Sequence, residues 1–480
     1  MFSKDQLIKH SDYLWEIPKG TRADMRVPAY VYALEEMLDS LMKDRSLQQL
    51  INVTTLPGIQ KAALVMPDAH EGYGFPIGGI AATAYADGVI SPGGIGYDIN
   101  CGVRLLVSDL YYDQVRTRLE DLAKELYRLV PSGVGRGGKL KLSIPELDDV
   151  LADGAEWAVR NGYGTSDDLK FIESHGRLKD ANPRCVSDNA KKRGHDQLGT
   201  IGAGNHFVEV DRVGKIFNEQ AAAAFGLKEG QMVALIHTGS RGLGHQVATD
   251  FLKIMSAAMP RYGIILPDRE LAGVPFNSEE GQNYFMAMCA AANFAWCNRQ
   301  IITNEIRTAW KNIMGKNERL RILYDVAHNI AKIEEHRVNG HTRKVIVHRK
   351  GATRAFGPDN PEIPEEYKPC GQPVLIPGSM GTASYVLVGT KESMNASFGS
   401  TCHGAGRSLS RTAAKKAVNA RELKEKLKLK GIHIQAGSDK GIAEEAPIAY
   451  KDVDLVVETV HVAGIAKKVA KLIPVAVIKG

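Results

Sequence analysis

The sequence contains few features of a secreted or membrane protein. It has no run of about 18 uninterrupted apolar residues, the length that a membrane-spanning helix requires. The first residues, MFSKDQLIKHSD, are polar and do not resemble a signal peptide. The six cysteines form no Cys-x-x-Cys pair and no disulfide framework of the kind found in small scaffolds. We therefore expect a cytoplasmic protein with reduced thiols, in which a functional cysteine is a metal ligand or a reactive thiol.

A strong charge imbalance is also lacking. Sixty-one basic residues against 55 acidic residues give a net charge of +6. Over 480 residues this mildly basic balance permits a polyanionic partner without requiring one. The hydrophobic fraction of 44% and the charged fraction of 24% are those of a soluble globular protein with an ample core. The 48 glycines exceed the usual share of about 7% and lie in short clusters between apolar runs, which indicates many structured loops.

Hydrophobic periodicity predicts a mixed α+β fold. Helical spacing of apolar residues predicts helices at 27–49, 112–130, 217–225, 245–258, 281–314, 409–429 and 453–471. Apolar runs bounded by turn residues predict strands at 62–66, 80–85, 101–110, 207–210, 231–237, 320–327, 343–348, 372–376 and 473–478. Segment 131–200 is rich in Gly, Lys and Asp, and we expect loops, short helices and a solvated basic cluster at 191–193. Because no linker divides the chain, we expect one intertwined domain, 1–480, with mixed sheets flanked by helices.

Six stretches place metal-competent or nucleophilic residues beside apolar runs and glycines. They are MPDAHEGYG (66–74), GYDINCG (96–102), GAGNHFVEV (202–210), ALIHTGSRGLGHQ (234–246), ILYDVAHNI (322–330) and FGSTCHGAGRSLSR (398–411). A single histidine or cysteine at the end of a strand is a weak signal. Repetition at junctions between strands and loops is stronger, because such junctions are where sheet proteins assemble their sites.

The ligand types in these stretches suit a pair of metal ions. Asp98, Cys101, His206, His237 and His328 exceed one tetrahedral shell, and the cysteine sulfur could bridge two ions. The Cys/His part favours zinc, whereas the carboxylate also allows manganese or iron. The alternative for the first pair is a buried structural cysteine beside a turn-forming aspartate.

Two stretches suggest nucleotide recognition. In an extended GAGNHFVEV segment, Phe207 and Glu209 share the face opposite His206, where a ring could stack on a purine and a carboxylate could accept from guanine. The turn after His237, with Arg241 and the start of a helix, could bind phosphate, although it lacks the lysine of a P-loop. The alternatives are an ordinary alternating strand and a Gly-rich turn.

The last stretch suggests a nucleophilic histidine. His403 lies among small residues, so a bulky substrate could approach its ring. Arg407 and Arg411 are four residues apart and would share one helical face, suited to phosphate oxygens. An accessible imidazole beside phosphate-binding arginines can accept a phosphoryl or nucleotidyl group. The alternative role for His403 is metal ligation.

Together these motifs resemble the RtcB family of RNA ligases. The resemblance rests on GYDINCGVR, GAGNHFVEV, IHTGSRGLGHQ, YDVAHN, HRKGATRA, IPGSMGTASY, CHGAGR and the C-terminal lysine, in order from about Pro67 to Lys479. It implies an RtcB-like fold and a GTP- and Mn²⁺-dependent ligase. Such an enzyme joins an RNA 2′,3′-cyclic phosphate or 3′-phosphate to a 5′-hydroxyl, in tRNA splicing and RNA repair. The intermediates would be a histidine-GMP adduct and an RNA 3′-end capped by GMP.

The resemblance also implies a role for each matching residue. Cys101 would bridge two Mn²⁺ ions, with Asp98, His206, His237 and His328 as the other ligands, and His403 would take GMP from GTP. Nucleotide binding would use Asn205, Phe207, Glu209, Ser379, Ser384, His403, Gly404, Gly406, Tyr450 and Lys479. Phosphate or RNA binding would use Arg241, Lys350, Arg407 and Arg411, with Asp68 in support.

The expected partners are RNA ends, GTP and, in archaea, the small activating protein archease; a monomer is expected. Two other functions explain part of the pattern. A two-metal phosphoesterase acting on RNA ends would use the Asp, Cys and His set but not Phe207, Glu209 or His403. An RNA-binding protein with a structural metal would use the basic patches, but structural sites normally close at four ligands.

Overall fold

A computed structural model of the chain describes residues 4–133 and 135–480. Residues 1–3 of the polar N-terminal stretch, and residue 134 of the segment 131–200, lie outside the described residues. The strands are β1 (Ile8–Lys9), β2 (Leu14–Ile17), β3 (Ala29–Tyr32), β4 (Ile59–His70), β5 (Ile77–Ala84), β6 (Val89–Ile90), β7 (Gly102–Tyr111), β8 (Phe207–Ile216), β9 (Gln231–Thr238), β10 (Val274–Pro275), β11 (Leu320–Ala327), β12 (Asn329–Val338), β13 (His341–Lys350), β14 (Ala352–Arg354), β15 (Pro373–Ile376), β16 (Ser384–Gly389), β17 (Ser400–Cys402), β18 (His433–Ala436) and β19 (Ala466–Lys479).

The helices surround the strands and vary widely in length. They are α1 (Glu35–Leu41), α2 (Ser46–Val53), α3 (Tyr112–Val115), α4 (Leu119–Leu129), α5 (Ile144–Asp153), α6 (Ala155–Arg160), α7 (Ser166–Lys170), α8 (Asp188–Gly194), α9 (Glu219–Phe225), α10 (Arg241–Ala258), α11 (Glu279–Met314), α12 (Lys391–Ala396), α13 (Arg411–Ala417), α14 (Ala420–Leu429), α15 (Asp439–Glu444) and α16 (Val453–Val462). Among the described helices, none has the combination of length and apolar character needed to cross a membrane.

Two large mixed sheets organise the fold. Sheet 1 has the order β1-β2-β3-β4-β5-β13-β12, and sheet 2 has the order β11-β7-β9-β8-β19-β16-β15 with β18 paired to β19. Most neighbours are antiparallel, but β3 runs parallel to β4 and β18 runs parallel to β19. Helices pack against both sheets, so the predicted α+β class is confirmed.

The longest helix, α11, is a central support. Ser278 caps its start, since its hydroxyl accepts from the Gly281 N–H at 3.1 Å. The helix ends at Met314, and the next residue, Gly315, has a φ of 136°, outside the range that other residues readily adopt. Trp296, Cys289 and Cys297 are fully buried along it. The predicted helix 281–314, and the interpretation of its Met/Ala/Cys/Trp stripe as core, are confirmed.

Several element predictions are wrong or incomplete. The predicted helix 27–49 begins instead as strand β3, because Pro28 disfavours helical backbone at the residue before it and β3 pairs with β4. The predicted helix 453–471 ends at Val462, since Gly464, with a φ of 75°, turns the chain into the long strand β19. The predicted helix 409–429 is two helices, and the Asn419 side chain caps the second one.

Other differences are local. The predicted helix 112–130 is interrupted by a 3₁₀ turn at Arg116–Arg118. Strand β12 was not predicted at all. In the basic cluster 191–193, Lys192 and Arg193 are exposed as expected, but Lys191 is buried and its Nζ lies 2.7 Å from Asp148. The prediction of a wholly solvated cluster is therefore wrong at Lys191.

The register of sheet 2 brings four strand ends to one edge. Gly102, at the start of β7, pairs with Thr238 at the end of β9 and with Ala327 at the end of β11. Phe207, at the start of β8, pairs with His237. Because neighbouring strands are antiparallel, starts and ends alternate along this edge. Residues that precede β7 and β8, or that follow β11, must therefore lie close to the end of β9.

A buried ion-pair cluster lies beside this edge. The Asp325 carboxylate of β11 accepts from Arg104 Nε at 2.7 Å and from Arg299 Nε at 2.8 Å. It also accepts from the Trp296 indole N–H at 3.1 Å. Both guanidinium groups and the carboxylate are fully buried. The cluster therefore connects β7, β11 and α11 in the interior.

Replacing Asp325 should destabilise the protein strongly. Asp325→Asn leaves two buried guanidinium groups without a countercharge, and breaking a buried pair in this way costs about 3–5 kcal/mol. The free energy of unfolding, measured by urea denaturation, gives the loss. Asp359→Asn is the control, since its ion pair with Lys391 is exposed and should contribute at most about 1 kcal/mol. Similar losses in the two variants would contradict the assignment.

Candidate active site

A cavity of about 310 Å³ opens at the edge where the strand ends of sheet 2 meet the ends of β4, β13 and β17. Fifteen of the residues selected from the sequence line it, namely Asp98, Cys101, Asn205, Phe207, His237, His328, Lys350, Ser379, His403, Gly404, Gly406, Arg407, Arg411, Tyr450 and Lys479. The remaining five, His206, Glu209, Ser384, Asp68 and Arg241, lie behind this lining. Residues spread over more than 400 positions of sequence thus meet in one place.

The first group of possible metal ligands consists of Asp98, Cys101 and His206. His206 Nε2 lies 2.8 Å from Asp98 Oδ2 and 3.3 Å from Cys101 Sγ. The other ring nitrogen, Nδ1, lies 3.1 Å from the Ile201 carbonyl, to which it can donate. That hydrogen bond fixes the neutral tautomer in which Nε2 carries a lone pair.

The second group consists of Cys101, His237 and His328. His237 Nε2 lies 3.3 Å from Cys101 Sγ and 3.3 Å from His328 Nε2. The two groups share Cys101, so its sulfur lies between the carboxylate side and the histidine side of the cluster. This is the arrangement that a bridging cysteine requires.

The donor atoms fit metal ions better than they fit one another. Asp98 Oδ2 lies 2.8 Å from His206 Nε2, and the Cys101 sulfur lies 3.3 Å from the Nε2 atoms of both His206 and His237. Lone pairs that face each other across about 3 Å in the interior are costly unless a cation or a proton lies between them. The cluster could therefore hold two divalent cations that share Cys101.

The pKa shifts are consistent with a cation site. Burial lowers the pKa of His237 and His328 well below the usual value, so both rings are neutral at pH 7, the form that binds metals. Burial, together with the neighbouring Asp98 charge, raises the pKa of the Cys101 thiol. A bound metal ion reverses this effect because it stabilises the thiolate directly. The thiol therefore needs a cation in order to ionise.

Arg299 of α11 holds two of the ligand segments in place. Its Nη1 donates to the carbonyls of Asn100 and Thr238, both at 2.8 Å, and its Nη2 donates to Asn100 Oδ1 at 3.0 Å. Asn100 precedes Cys101, and Thr238 follows His237. Asn100 has a φ of 51°, a conformation that most residues avoid and that these bonds stabilise. The guanidinium therefore fixes the separation between the cysteine and one histidine.

His403 lies beside the ligand cluster, with its ring centroid 4.8 Å from that of His328. Its Nδ1 donates to Asp68 Oδ2 at 2.6 Å, and that oxygen also accepts from the backbone N–H of His403 at 2.9 Å. Asp68 is fully buried on β4. The carboxylate fixes the tautomer and leaves Nε2 with the lone pair that a nucleophile or a ligand needs.

Close packing at this point requires glycine. Gly406 has a φ of 71°, and a Cβ atom there would lie 2.1 Å from the Asp68 carbonyl oxygen. The chain after His403 can therefore pass beside β4 only without a side chain at position 406. This contact keeps Asp68 and His403 within hydrogen-bonding distance.

The residues selected for the guanosine pocket form a layer beside the histidine. The Phe207 ring lies under Lys479 Nζ at 5.2 Å. Ser384 Oγ donates to Glu209 Oε1 at 3.3 Å and accepts from the Gly378 N–H at 3.1 Å. Glu209 therefore lies directly behind the cavity wall formed by Gly378 and Ser379.

A second carboxylate accompanies Glu209. Asp211 follows two residues later on β8, is fully buried, and has no hydrogen-bond partner for either oxygen among the described residues. Burial raises the pKa of Glu209 well above its usual value, and the charge of Asp211 raises it further. Burial raises the pKa of Asp211 to about 7. The two carboxyl groups thus compete for ionisation.

The selected arginines gather around a residue that the sequence did not single out. Glu445 Oε1 lies 3.1 Å from Arg407 Nη1 and 3.5 Å from Arg411 Nε, and its Oε2 lies 3.9 Å from Lys479 Nζ. Tyr450 donates a hydrogen bond to the same carboxylate. The buried glutamate balances three cations at the cavity wall. Its sequence signal is weak, an acidic Glu-Glu pair after a basic helical segment.

The other two cationic residues differ in position. Lys350 lines the cavity and donates to the Tyr73 carbonyl at 2.6 Å, and burial lowers its pKa to about 7. Arg241 lies behind the lining, where its Nε donates to Thr200 Oγ1 at 3.2 Å and its guanidinium covers Gly202. Burial lowers the pKa of the Arg241 guanidinium, and the nearby Asp98 and Cys101 partly offset that effect.

Asn329 and Arg299 were also missed by sequence reasoning. The side chain of Asn329 donates to the Asp98 carbonyl at 3.1 Å and accepts from the Gly351 N–H at 2.8 Å. It joins the two sides of the cavity. The only available signal was its position directly after His328, whereas Arg299 carried none because it lies in the middle of a helix.

Comparison with known proteins identifies the family. The family model described as tRNA-splicing ligase RtcB matches residues 49–480. A tRNA-splicing ligase RtcB of Archaeoglobus fulgidus is 55% identical over 477 residues, covering 99% of each chain. That of Thermococcus kodakarensis is 56% identical over 97% of each chain, and that of Methanococcus maripaludis is 51% identical over 99% of this chain and 100% of its own. The chain therefore belongs to the RtcB family of tRNA-splicing ligases and is an RNA ligase.

Proposed function

We propose that the chain joins RNA 3′-phosphate or 2′,3′-cyclic phosphate ends to 5′-hydroxyl ends in a GTP- and Mn²⁺-dependent reaction, through GMP bound to His403. The observation that carries the proposal is the position of His403. Its Nδ1 is held by Asp68 at 2.6 Å, and its ring lies 4.8 Å, centroid to centroid, from the ligand cluster. A phosphoesterase would need the cluster but not this nucleophile.

The first step would be nucleotidyl transfer. The lone pair of His403 Nε2 forms a bond to the α-phosphorus of GTP, and the bond to the β-phosphate breaks, releasing pyrophosphate. Asp68 stabilises the positive charge that develops on the imidazole, as carboxylates do beside catalytic histidines. Arg407, Arg411 and Lys479 supply positive charge near the phosphates.

The later steps would regenerate the histidine. Where the end is a 2′,3′-cyclic phosphate, water first forms a bond to its phosphorus as the bond to O2′ breaks, which leaves a 3′-phosphate and a 2′-hydroxyl. A 3′-phosphate oxygen of RNA then forms a bond to the GMP phosphorus, and the bond to His403 breaks. Last, the 5′-hydroxyl oxygen of the second RNA forms a bond to the phosphorus of the 3′-phosphate, the bond from that phosphorus to the GMP oxygen breaks, and the hydroxyl proton passes to solvent. The basic residues of the cavity, Lys350 among them, hold the charged ends in position.

Asp98, Cys101, His206, His237 and His328 would hold two Mn²⁺ ions. The mixture of carboxylate, thiolate and imidazole fits manganese as well as zinc or iron. When bound, two divalent ions stabilise the charge that develops on phosphate oxygens during in-line transfer. In the same proposal Glu209 and Ser384 read the guanine edge, Phe207 packs on the base, and Asn205, Ser379, Gly404, Gly406 and Tyr450 complete the nucleotide site.

The proposal extends to the setting of the enzyme. The resemblance to the family implies, in archaea, archease as an activating protein. We include archease among the partners, together with a cytoplasmic location and a single domain formed by the whole chain. Ligation rates with and without added archease test the first of these.

His403→Ala should abolish the nucleotide adduct. Incubation of the wild-type protein with α-labelled GTP and Mn²⁺ should leave a label that survives denaturation and is lost in acid, as a phosphoramidate is. The variant should lose roughly 10³-fold or more of this labelling. Asp68→Asn should retain the ring but lose on the order of 10²- to 10⁴-fold in rate, because the tautomer is no longer fixed. An undiminished adduct in His403→Ala would contradict the mechanism.

Cys101→Ser should weaken metal binding at both positions of the cluster. Loss of an outer-shell group costs roughly 10- to 100-fold in metal affinity, and loss of the shared ligand should cost at least as much. Metal content after gel filtration, and the thiolate charge-transfer band of Co²⁺-loaded protein, measure the effect. Cys370→Ser is the control, since that thiol lies outside the cavity. Full metal content in Cys101→Ser would show that the thiol is structural.

Asp211→Asn should shift the pH dependence of GTP binding. Glu209 must be ionised to accept from guanine, so affinity should increase as pH rises through its raised pKa. Removing the Asp211 charge lowers that pKa, and the midpoint of affinity against pH should move to lower pH. Calorimetric titration of GTP in a His403→Ala background gives the midpoint. Asp109→Asn, on the exposed part of β7, is the control, and an unmoved midpoint in Asp211→Asn would contradict the coupling.

A further inference from the structure

Three rings form a contiguous surface beside the mouth of the cavity. The Tyr97 ring stacks on that of His245, with centroids 4.8 Å apart and an interplanar angle of 25°. The Tyr73 ring meets Tyr97 edge to face, with centroids 5.5 Å apart. Tyr73 and Tyr97 both line the cavity, and His245 is exposed on α10. We refer to Tyr73, Tyr97 and His245 as the aromatic platform.

The Tyr73 side chain is unusually open to solvent. It is 59% exposed, whereas the other exposed tyrosines, at positions 85, 111 and 262, are 36–38% exposed. An aromatic ring gains free energy by burial, so a ring held open at the mouth of a functional cavity has its contact surface available for a ligand.

The backbone beneath this ring is fixed. The Gly72 N–H donates to Gln49 Oε1 at 3.0 Å, and Gln49 Nε2 donates to the Gly72 carbonyl at 2.8 Å. The Glu71 N–H donates to Asp44 Oδ2 at 2.9 Å, and Lys350 donates to the Tyr73 carbonyl. Four hydrogen bonds hold the backbone of residues 71–73 in place, so the Tyr73 ring is exposed on an ordered segment. A ligand would therefore meet an already ordered surface.

The platform lies between the charged parts of the site. Tyr97 directly precedes Asp98, the carboxylate of the ligand cluster, and Lys350 lies under Tyr73. On the outer side, Arg193 lies close enough to His245 to affect its titration and bonds to Gln246 at 2.8 Å. A ligand that follows this surface needs anionic groups for the cations and a flat apolar face for the rings. A single-stranded nucleotide has both.

We propose that the aromatic platform stacks the base of a terminal nucleotide of the RNA being joined. This inference rests on the proposed function, since it places an RNA end at the same cavity. Stacking on a ring is tolerant of sequence because every base has a π-face, which suits an enzyme that joins ends rather than reads them. The platform thereby orients the sugar and phosphate of that nucleotide toward the cavity.

The test compares RNA ends with and without a base. Short single-stranded oligoribonucleotides carry either a normal or an abasic terminal residue, at the 3′-phosphate end in one series and at the 5′-hydroxyl end in the other. Binding to the Mn²⁺-treated protein is measured without GTP, so that no transfer occurs. In the wild-type protein the abasic residue in one series should weaken binding roughly 5- to 150-fold, the effect of one stacked base.

Variants of the two tyrosines measure the contribution of their rings to binding of the RNA end. In Tyr73→Ala/Tyr97→Ala the normal and abasic ends should bind equally within about 2-fold, because the stacking surface is gone. Tyr73→Phe/Tyr97→Phe should keep the wild-type ratio, since the ring faces remain. Tyr262→Ala, a tyrosine bonded to Glu280 outside the cavity, should also keep it. Because each ratio compares two RNAs on the same protein, a general loss of folded protein does not change it.

Three results would overturn the inference. The first is equal binding of normal and abasic ends, in both series, by a wild-type protein that forms the GMP adduct and ligates RNA. The second is a wild-type base-to-abasic ratio that persists in the double alanine variant. The third is a double alanine variant that loses affinity for GTP while keeping the wild-type ratio between normal and abasic RNA ends. That result would show that the platform binds the guanine of GTP. Failure of the proposed function is read separately, from the adduct on His403.

Discussion

The geometry of the site depends on one buried guanidinium. Arg299 uses all five of its N–H groups, two on Asp325, two on backbone carbonyls beside Cys101 and His237, and one on the Asn100 side chain. A fully buried charge without its partner would be costly in free energy, so Asp325 and Arg299 must become buried together as a pair. Once they do, the loop before β7 and the end of β9 have a fixed separation. The ligand cluster is therefore positioned by the interior of the protein and not by its own loops.

The two sheets contribute different chemistry to the same cavity. Sheet 2 provides the possible metal ligands, because its antiparallel register places Cys101, His206, His237 and His328 at one edge. Asp68 lies on β4 of sheet 1. His403 directly follows β17, which pairs with β14, and β14 comes directly after β13 of sheet 1 in the sequence. The possible metal ligands and His403 therefore come from different parts of the fold, although the rings of His328 and His403 lie only 4.8 Å apart. This division also explains why the functional residues are scattered along the sequence.

The sequence predicts strand ends better than it predicts what holds them. Runs of Val, Ile and Leu identify β7, β9 and β11 because buried strands are continuously apolar, and polar residues stand at the cavity end of each run, before β7 and after the apolar parts of β9 and β11. Strand β12 was missed because Lys332, Glu334 and His336 lie on its buried face, so the alternation of apolar and polar residues that predicts a strand is absent. Buried partners such as Arg349, which pairs with Glu334, compensate these charges. That partner lies in another strand, so periodicity alone gives no sign of it.

The same reasoning explains which site residues could be found. Cysteine, histidine and aspartate at strand ends can be recognised from their residue type. The resemblance of motifs adds the residues that are expected to bind the nucleotide. Glu445, which follows α15, and Arg299, within α11, could not be recognised in this way, because acidic and basic residues are common and the role of these two depends on long-range contacts. A tyrosine such as Tyr73 is equally ambiguous, since only the structure shows whether its ring is packed or open.

Glu445 stabilises the cationic wall of the cavity, formed by Arg407, Arg411 and Lys479. Arg407, Arg411 and Lys479 would repel one another in a partly buried wall, where charges interact more strongly than in water. The glutamate, almost fully buried between them, offsets that repulsion and lies within 4 Å of all three cationic groups. Because three cations face one carboxylate, the wall keeps a net positive charge. It is therefore both ordered and attractive to an anion, which a cluster of arginines alone could not be.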